Sequence, residues 1–172
     1  MSEIKTETTM TSGYQSNDEH WMQQVLQLAD QAETAGEVPV GALVVYQGQV
    51  VGQGYNQPIS QLDPTAHAEI VALRQAAKSL GNYRLLGATL YVTLEPCCMC
   101  VGALIHSRIV RLVYGADDPK SGVVHSCYPL LDQRWHNHQL QVTAGILKEN
   151  CAFQLREFFR KKRLVKRAKN TV

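Results

Sequence analysis

Three cysteines, Cys97, Cys98 and Cys100, crowd into four positions directly after Pro96 in a chain of 172 residues. Sulfurs so close in sequence cannot staple distant segments together, so the cluster points to metal or redox chemistry rather than to a disulfide framework. A histidine and a carboxylate stand upstream as His67-Ala68-Glu69, and Pro96 follows Glu69 by 27 positions. Zinc takes imidazole nitrogen and thiolate sulfur in a tetrahedron, and a set of three protein ligands keeps the fourth position for water. His67, Cys97 and Cys100 supply such a set. Both groups fall at the starts of predicted helices, whose positive dipole ends favour thiolate over thiol, so Cys97 and Cys100 are expected to ionise more readily than free cysteine. Glu69 lies two residues from His67 and does not share a helical face with it, which argues against a fourth ligand. It can still reach a water held on the metal, take its proton and later return that proton to a leaving group. Those are the steps of hydrolytic deamination at an amidine carbon.

Other uses of the same residues stay open. A structural zinc knuckle would want a fourth Cys or His at ligand spacing, and the nearest candidate, His106, lies at the far end of the short helix that begins at Cys97. A thioredoxin-like redox pair of Cys97 and Cys100 needs neither His67 nor Glu69. A noncatalytic RNA-binding module with structural zinc has no use for the proton carrier. Cys98, at an open position of the pattern, is expected to be a small packed residue.

The elements that must position these groups read as one domain. Residues 1–15 lack hydrophobic periodicity and read as a disordered leader, and residues 16–172 form the domain. Ser16 and Glu19 make a capping-box pattern, after which Trp21, Met22, Val25, Leu26, Ala29 and Ala32 recur at helical spacing until Gly36. Residues 40–46 and 49–54 flank Gln47-Gly48 as a hairpin, and turn residues fill 56–63. Asp63 and Pro64 carry the N-cap and first-turn signals of a helix running to Gly81, which would seat His67 and Glu69 in its first turns. A strand at 88–94, a short helix at 97–107 and a strand at 109–114 imply a parallel pair joined by a crossover. A fifth strand near 140–143 precedes a terminal helix over about 146–167. The sum is an α/β layered domain, with a five-stranded mixed sheet covered by helices on both faces.

Charge is segregated along this domain. Residues 1–155 hold 9 Lys and Arg against 14 Asp and Glu, whereas residues 156–172 hold 8 against 1. A body of net charge −5 therefore ends in a tail of +7. Such a footprint suits an anionic partner, most simply nucleic acid, although a cationic helix can also be a plain solvated face. Phe158 and Phe159 head the basic run, and one is expected in the core with the other free to touch RNA. The polar N-terminus lacks the features of a secretory signal, and the longest apolar run, 38–46, is far short of the ~20 residues that span a bilayer. The expectation is a cytoplasmic protein without a membrane.

The His-x-Glu and Pro-Cys-x-x-Cys pair matches the signature of the zinc nucleobase deaminases. More of the chain resembles one family within them, the bacterial tRNA-specific adenosine deaminases. The resemblance runs through Glu37-Val38-Pro39-Val40-Gly41, Asn56, residues 63–70, Asn82-Tyr83-Arg84-Leu85 and residues 90–97. It continues through Ile105-His106-Ser107-Arg108, Gly115-Ala116-Asp117-Asp118, Asn137-His138 and Phe158-Phe159-Arg160. It implies a three-layer cytidine-deaminase-like fold with strand order 2-1-3-4-5, a homodimer, and conversion of adenosine to inosine at the wobble position of a tRNA anticodon. It further implies one Zn2+ per chain on His67, Cys97 and Cys100, with Glu69 as the proton shuttle. Asn56 would hydrogen-bond the flipped base and Val40 would line the purine pocket. Asp118 would touch the nucleotide 5′ to the target, and Phe159 and Arg160 would seat the anticodon stem-loop. Metal, shuttle and spacing are shared with guanine and cytosine deaminases acting on the free base, which remain the alternative.

Overall fold

Successive side chains of a strand face opposite sides, so a strand covered on both faces needs apolar residues at nearly every position. The computed structural model describes residues 11–169, with side chains from residue 17 onward. Within them, α1 (Thr11–Thr34) leads into a hairpin of β1 (Gly41–Tyr46) and β2 (Gln49–Tyr55), followed by the single turn α2 (Pro58–Gln61). Next come α3 (Ala68–Leu80), β3 (Thr89–Leu94), α4 (Cys98–Ser107), β4 (Arg111–Ala116), β5 (Gln141–Ala144) and α5 (Lys148–Lys169). The five strands form one sheet in the order β2-β1-β3-β4-β5, as the resemblance implies. β1 is antiparallel to β2 and β3, while β3, β4 and β5 run parallel.

The central strands alternate between two cores. Ala42, Val44, Leu90, Val92, Leu112 and Tyr114 face α3 and α4, whereas Leu43, Val45, Tyr91 and Val113 face α1 and α5. Register keeps like with like: Ala42 sits opposite Val92 and Leu90 opposite Leu112, so each layer is continuous across the sheet. Met22, Val25, Ala29 and Ala32 give α1 the apolar stripe that its periodicity predicts. Two turns in, a buried carboxylate fixes the helix to the sheet. Asp18 takes two hydrogen bonds from Arg111, at 2.9 and 2.6 Å, and one from the Tyr91 hydroxyl at 2.9 Å, tying the helix to β3 and β4.

Two helix starts differ from expectation. Ser16 is not the N-cap of α1, because the helix already begins at Thr11 and so takes in residues 11–15 of the expected leader. Extending a helix that tertiary packing has nucleated adds only a small increment per residue, which a capping pattern inside it does not stop. The remainder of that leader, residues 1–10, lies outside the described residues. Asp63 likewise does not open α3. Its Oδ1 accepts the Thr65 N–H at 2.8 Å and the Thr65 hydroxyl at 2.6 Å, closing a turn two residues ahead, and α3 starts at Ala68 with His67 as its N-cap.

α3 lies unusually close to the hairpin because glycine meets alanine there. A Cβ on Gly52 would collide with the Ala72 carbonyl oxygen, and one on Gly54 would come within 2.7 Å of the Val71 Cβ. Ala68, Ala72 and Ala76 are all buried along this seam. On the opposite face α5 packs with α1: the Gln154 side chain donates to the Leu26 carbonyl, and Lys161 pairs with Glu33 at 2.8 Å. Phe158 closes the core with 6% exposure, and every described residue of α5 beyond it is exposed.

Candidate active site

The N-terminal ends of α3 and α4 meet. His67 is the N-cap residue of α3 and Cys97 that of α4, with Cys100 one turn into α4. The His67 Nδ1 lies 3.7 Å from the Cys97 Sγ and 3.6 Å from the Cys100 Sγ, and the three ligand atoms lie within 4.8 Å of one another. Zinc–nitrogen and zinc–sulfur bonds of about 2.0 and 2.3 Å at the tetrahedral angle put N and S roughly 3.6 Å apart. The donor set and its spacing therefore fit a tetrahedral dication. His106 is exposed in a shallow groove with Ile70, Leu73 and Tyr83, and it takes no part in this cluster.

Ionisation within the trio departs from the expectation that both thiols are lowered. Cys97 is held down at about 4, first by its hydrogen bond with Cys100 and then by His67. Cys100 is pushed up, by the bond with Cys97 and by burial. Two thiols that share a hydrogen bond hold one charge between them, and a dication bound among them would deprotonate both. The hydrogen bond with Cys97 raises His67. Glu69 is 4% exposed, and burial pushes its carboxyl up. Cys98 is exposed, not packed, because the first turn of α4 turns that position outward from the buried Cys100.

A cleft of about 1100 Å³ opens over these groups. His67, Glu69, Cys97, Asn56, Val40, Asp118, Phe159 and Arg160 all line it, so eight of the nine residues singled out by sequence converge on one cavity, with the ninth, Cys100, buried beneath. Asn56 has a structural bond as well. Its Oδ1 accepts the Ala68 N–H at 2.9 Å, capping α3 from outside the helix and leaving the Nδ2 side for the cleft. Val40, 5% exposed, accepts the Asn56 N–H on its carbonyl at 3.0 Å. Asp118 caps the turn that follows it, accepting from the Lys120 N–H at 3.0 Å and the Ser121 N–H at 3.3 Å.

α5 forms the outer wall. The two adjacent phenylalanines divide as expected: Phe158 is core, and Phe159 is 44% exposed on the cleft. Arg160 grips Glu157 in a fork, with its Nη2 at 2.7 Å from the carboxylate. Arg156 and Arg163 reach the same cleft, as does the exposed Phe153. Glu95, to which the sequence assigns no role, also lines the cavity. Its one signal is a charged residue closing the apolar run of β3. Burial opposes ionisation of Glu95, but the N–H groups of His125, Ser126 and Asp118 and the Ser126 hydroxyl outweigh it and hold the carboxyl at about 2.

Comparison with known proteins extends this picture. Residues 16–163 match the MafB19-like deaminase family. A tRNA-specific adenosine deaminase of Haemophilus influenzae is 54% identical over 147 residues, covering 85% of each chain. Among solved structures, one from work on A-to-I editing by tRNA:A34 deaminases at the wobble position of transfer RNA is 43% identical. It superposes with a TM-score of 0.77 over 79% of this chain and 99% of that one. A guanine deaminase of Bacillus subtilis is 39% identical, but with a TM-score of 0.55 over 58% of this chain and 64% of that one. The chain belongs to the bacterial tRNA-specific adenosine deaminase family.

Proposed function

We propose that this protein is a zinc-dependent enzyme that hydrolyses adenosine to inosine at the wobble position of a tRNA anticodon. The observation that carries the proposal is the meeting of His67, Cys97 and Cys100 beside a buried Glu69, in one cleft whose outer wall is a basic helix. His67, Cys97 and Cys100 would hold one zinc per chain. When bound, the zinc supplies a Lewis acid that lowers the pKa of a water to about 7. Water adds at C6 of adenine and ammonia leaves. Glu69 takes one proton of the attacking water and delivers it to N1 of the ring, where inosine keeps it, and then carries the remaining hydroxyl proton to the departing amine as the C6 carbonyl forms. Its burial supports that role, since a raised carboxyl pKa brings proton acceptance and return closer to balance.

The substrate contacts that the resemblance implies find support in the walls, where each of these side chains lines the cleft. The Nδ2 of Asn56, whose oxygen is already engaged by Ala68, donates to an acceptor of a base turned out of its stack. Val40 packs on the purine. Asp118 touches the nucleotide 5′ to the target, and Phe159 and Arg160 seat the anticodon stem-loop. The cleft is far larger than one base, and a free-base guanine or cytosine deaminase would gain little from the eight cations between Arg156 and Lys169. A tRNA substrate agrees with a cytoplasmic location, and no described helix is long and apolar enough to cross a membrane. A homodimer agrees with the apolar groove that Ile70, Leu73, Ala77 and Tyr83 leave open between α3 and α4.

Metal analysis of the purified protein should find about one zinc per chain, and Cys97→Ser or Cys100→Ser should lose metal and stability together. Full zinc occupancy in both variants would remove the ligand assignment. Glu69→Ala should keep zinc and RNA binding yet lower turnover at least ~100-fold, the low end for general acid–base catalysis. Turnover near that of the wild type would give the proton to another group.

Salt tests the basic wall. Log affinity for an anticodon stem-loop should fall linearly with log salt, at about −0.7 to −0.9 per phosphate contact. Replacing Arg160, Lys161, Lys162 and Arg163 by Gln should weaken binding and flatten the slope while zinc content stays constant. Unchanged affinity and slope would make these residues a solvated helix end and favour the free-base reading.

A further inference from the structure

Glu95 is 2% exposed, and the five hydrogen bonds to its carboxylate come from a single stretch of chain. Oε1 accepts the N–H groups of Val124, His125 and Ser126 at 3.0, 2.7 and 2.9 Å. Oε2 accepts the Asp118 N–H at 3.0 Å and the Ser126 hydroxyl. Next along the chain, the Pro96 carbonyl accepts the Val123 N–H at 3.1 Å. Residues 118–126 are thus wrapped around the two residues that precede Cys97. The wrapping needs glycine at its midpoint: a Cβ on Gly122 would sit 2.5 Å from both Cδ and Oε2 of Glu95.

A buried carboxylate is a poor way to add stability, because the loss of hydration offsets much of what its bonds return. What it does give is a fixed distance, since five directed bonds leave the two segments no freedom to slide. The segment so held carries Asp118 and Ser121, which line the cleft, and the Asp118 carboxylate is itself aimed by the Lys120 and Ser121 N–H groups. We infer that Glu95 is a positioning residue for substrate recognition, holding Asp118 at a set distance from Cys97 so that the nucleotide beside the target is read in register with the reacting base. The inference rests on the RNA substrate proposed above and adds to it the residue that sets this recognition.

Glu95→Gln separates the two ends of the clamp. Its single carbonyl oxygen is best turned to the three N–H groups of residues 124–126, which leaves an NH2 facing the Asp118 N–H, donor against donor. Steady-state kinetics on anticodon stem-loops should then show KM raised about tenfold, the loss of roughly one charge-assisted hydrogen bond, with kcat within about twofold. Zinc content should not change. Preference among stem-loops differing only in the nucleotide 5′ to the target should narrow. Ser126→Ala, which removes one donor to Oε2, should move both readouts the same way by a smaller amount and decides the matter if Glu95→Gln does not fold. The double variant Asp118→Ala/Glu95→Gln should be no worse in KM than Asp118→Ala alone. A fall in kcat at constant KM, loss of zinc, or additive effects in the double variant would reduce Glu95 to a fold anchor and overturn the inference. A wild type inactive on every stem-loop would overturn the RNA reading, and this inference with it, a result distinct from an active wild type whose variants keep its KM and preference.

Discussion

The meeting of two helix N-termini is the constraint on which the rest of the molecule depends. Imidazole and thiolates reach tetrahedral spacing only if the first residues of α3 and α4 are fixed to within a few tenths of an ångström. Neither helix could ensure this alone. α3 is seated against Gly52 and Gly54, where the strand has no side chain to hold the helix away. α4 is seated by the end of β3, a central strand paired on both sides.

Each of the two helix starts also has an anchor from a distant part of the chain, and each anchor faces the cleft. Asn56 caps Ala68 at the start of α3, and Glu95 gathers the 118–126 segment just before α4. The bonds that order the metal site are thus the bonds that order the walls around it. The candidate metal ligands, the buried Glu69 and the walls of the cleft are in this way tied together by one set of hydrogen bonds. The outer wall is different in kind: α5 beyond Phe158 is exposed along its whole described length, tied by ion pairs such as Lys161 with Glu33. Its positive charge acts at longer range and with less fixed geometry, as suits contact with a phosphate backbone.

Much of this arrangement is legible in the amino-acid sequence. The donor set follows from residue type and spacing, and its three members do come together; the strand order follows from the resemblance. The start of α3 is misread for a physical reason: Asp63 and Pro64 serve equally well in a helix N-cap and in an Asx turn, and only the Thr65 contacts distinguish them. Glu95 escapes notice because its partners lie 23 to 31 positions downstream, in a stretch with no periodicity to mark it. The upward push on Cys100 comes from its bond with the neighbouring sulfur and from burial, neither of which the helix dipole reveals.

The central claim is that this cleft acts on adenosine presented by RNA. The most direct measurement gives the purified zinc-loaded protein an anticodon stem-loop with adenosine at the wobble position, free guanine and free cytosine, side by side, and follows products by mass. The account predicts inosine at that one position of the RNA and no deamination of either free base. Ammonia released from guanine or cytosine, with the RNA unchanged, would contradict it.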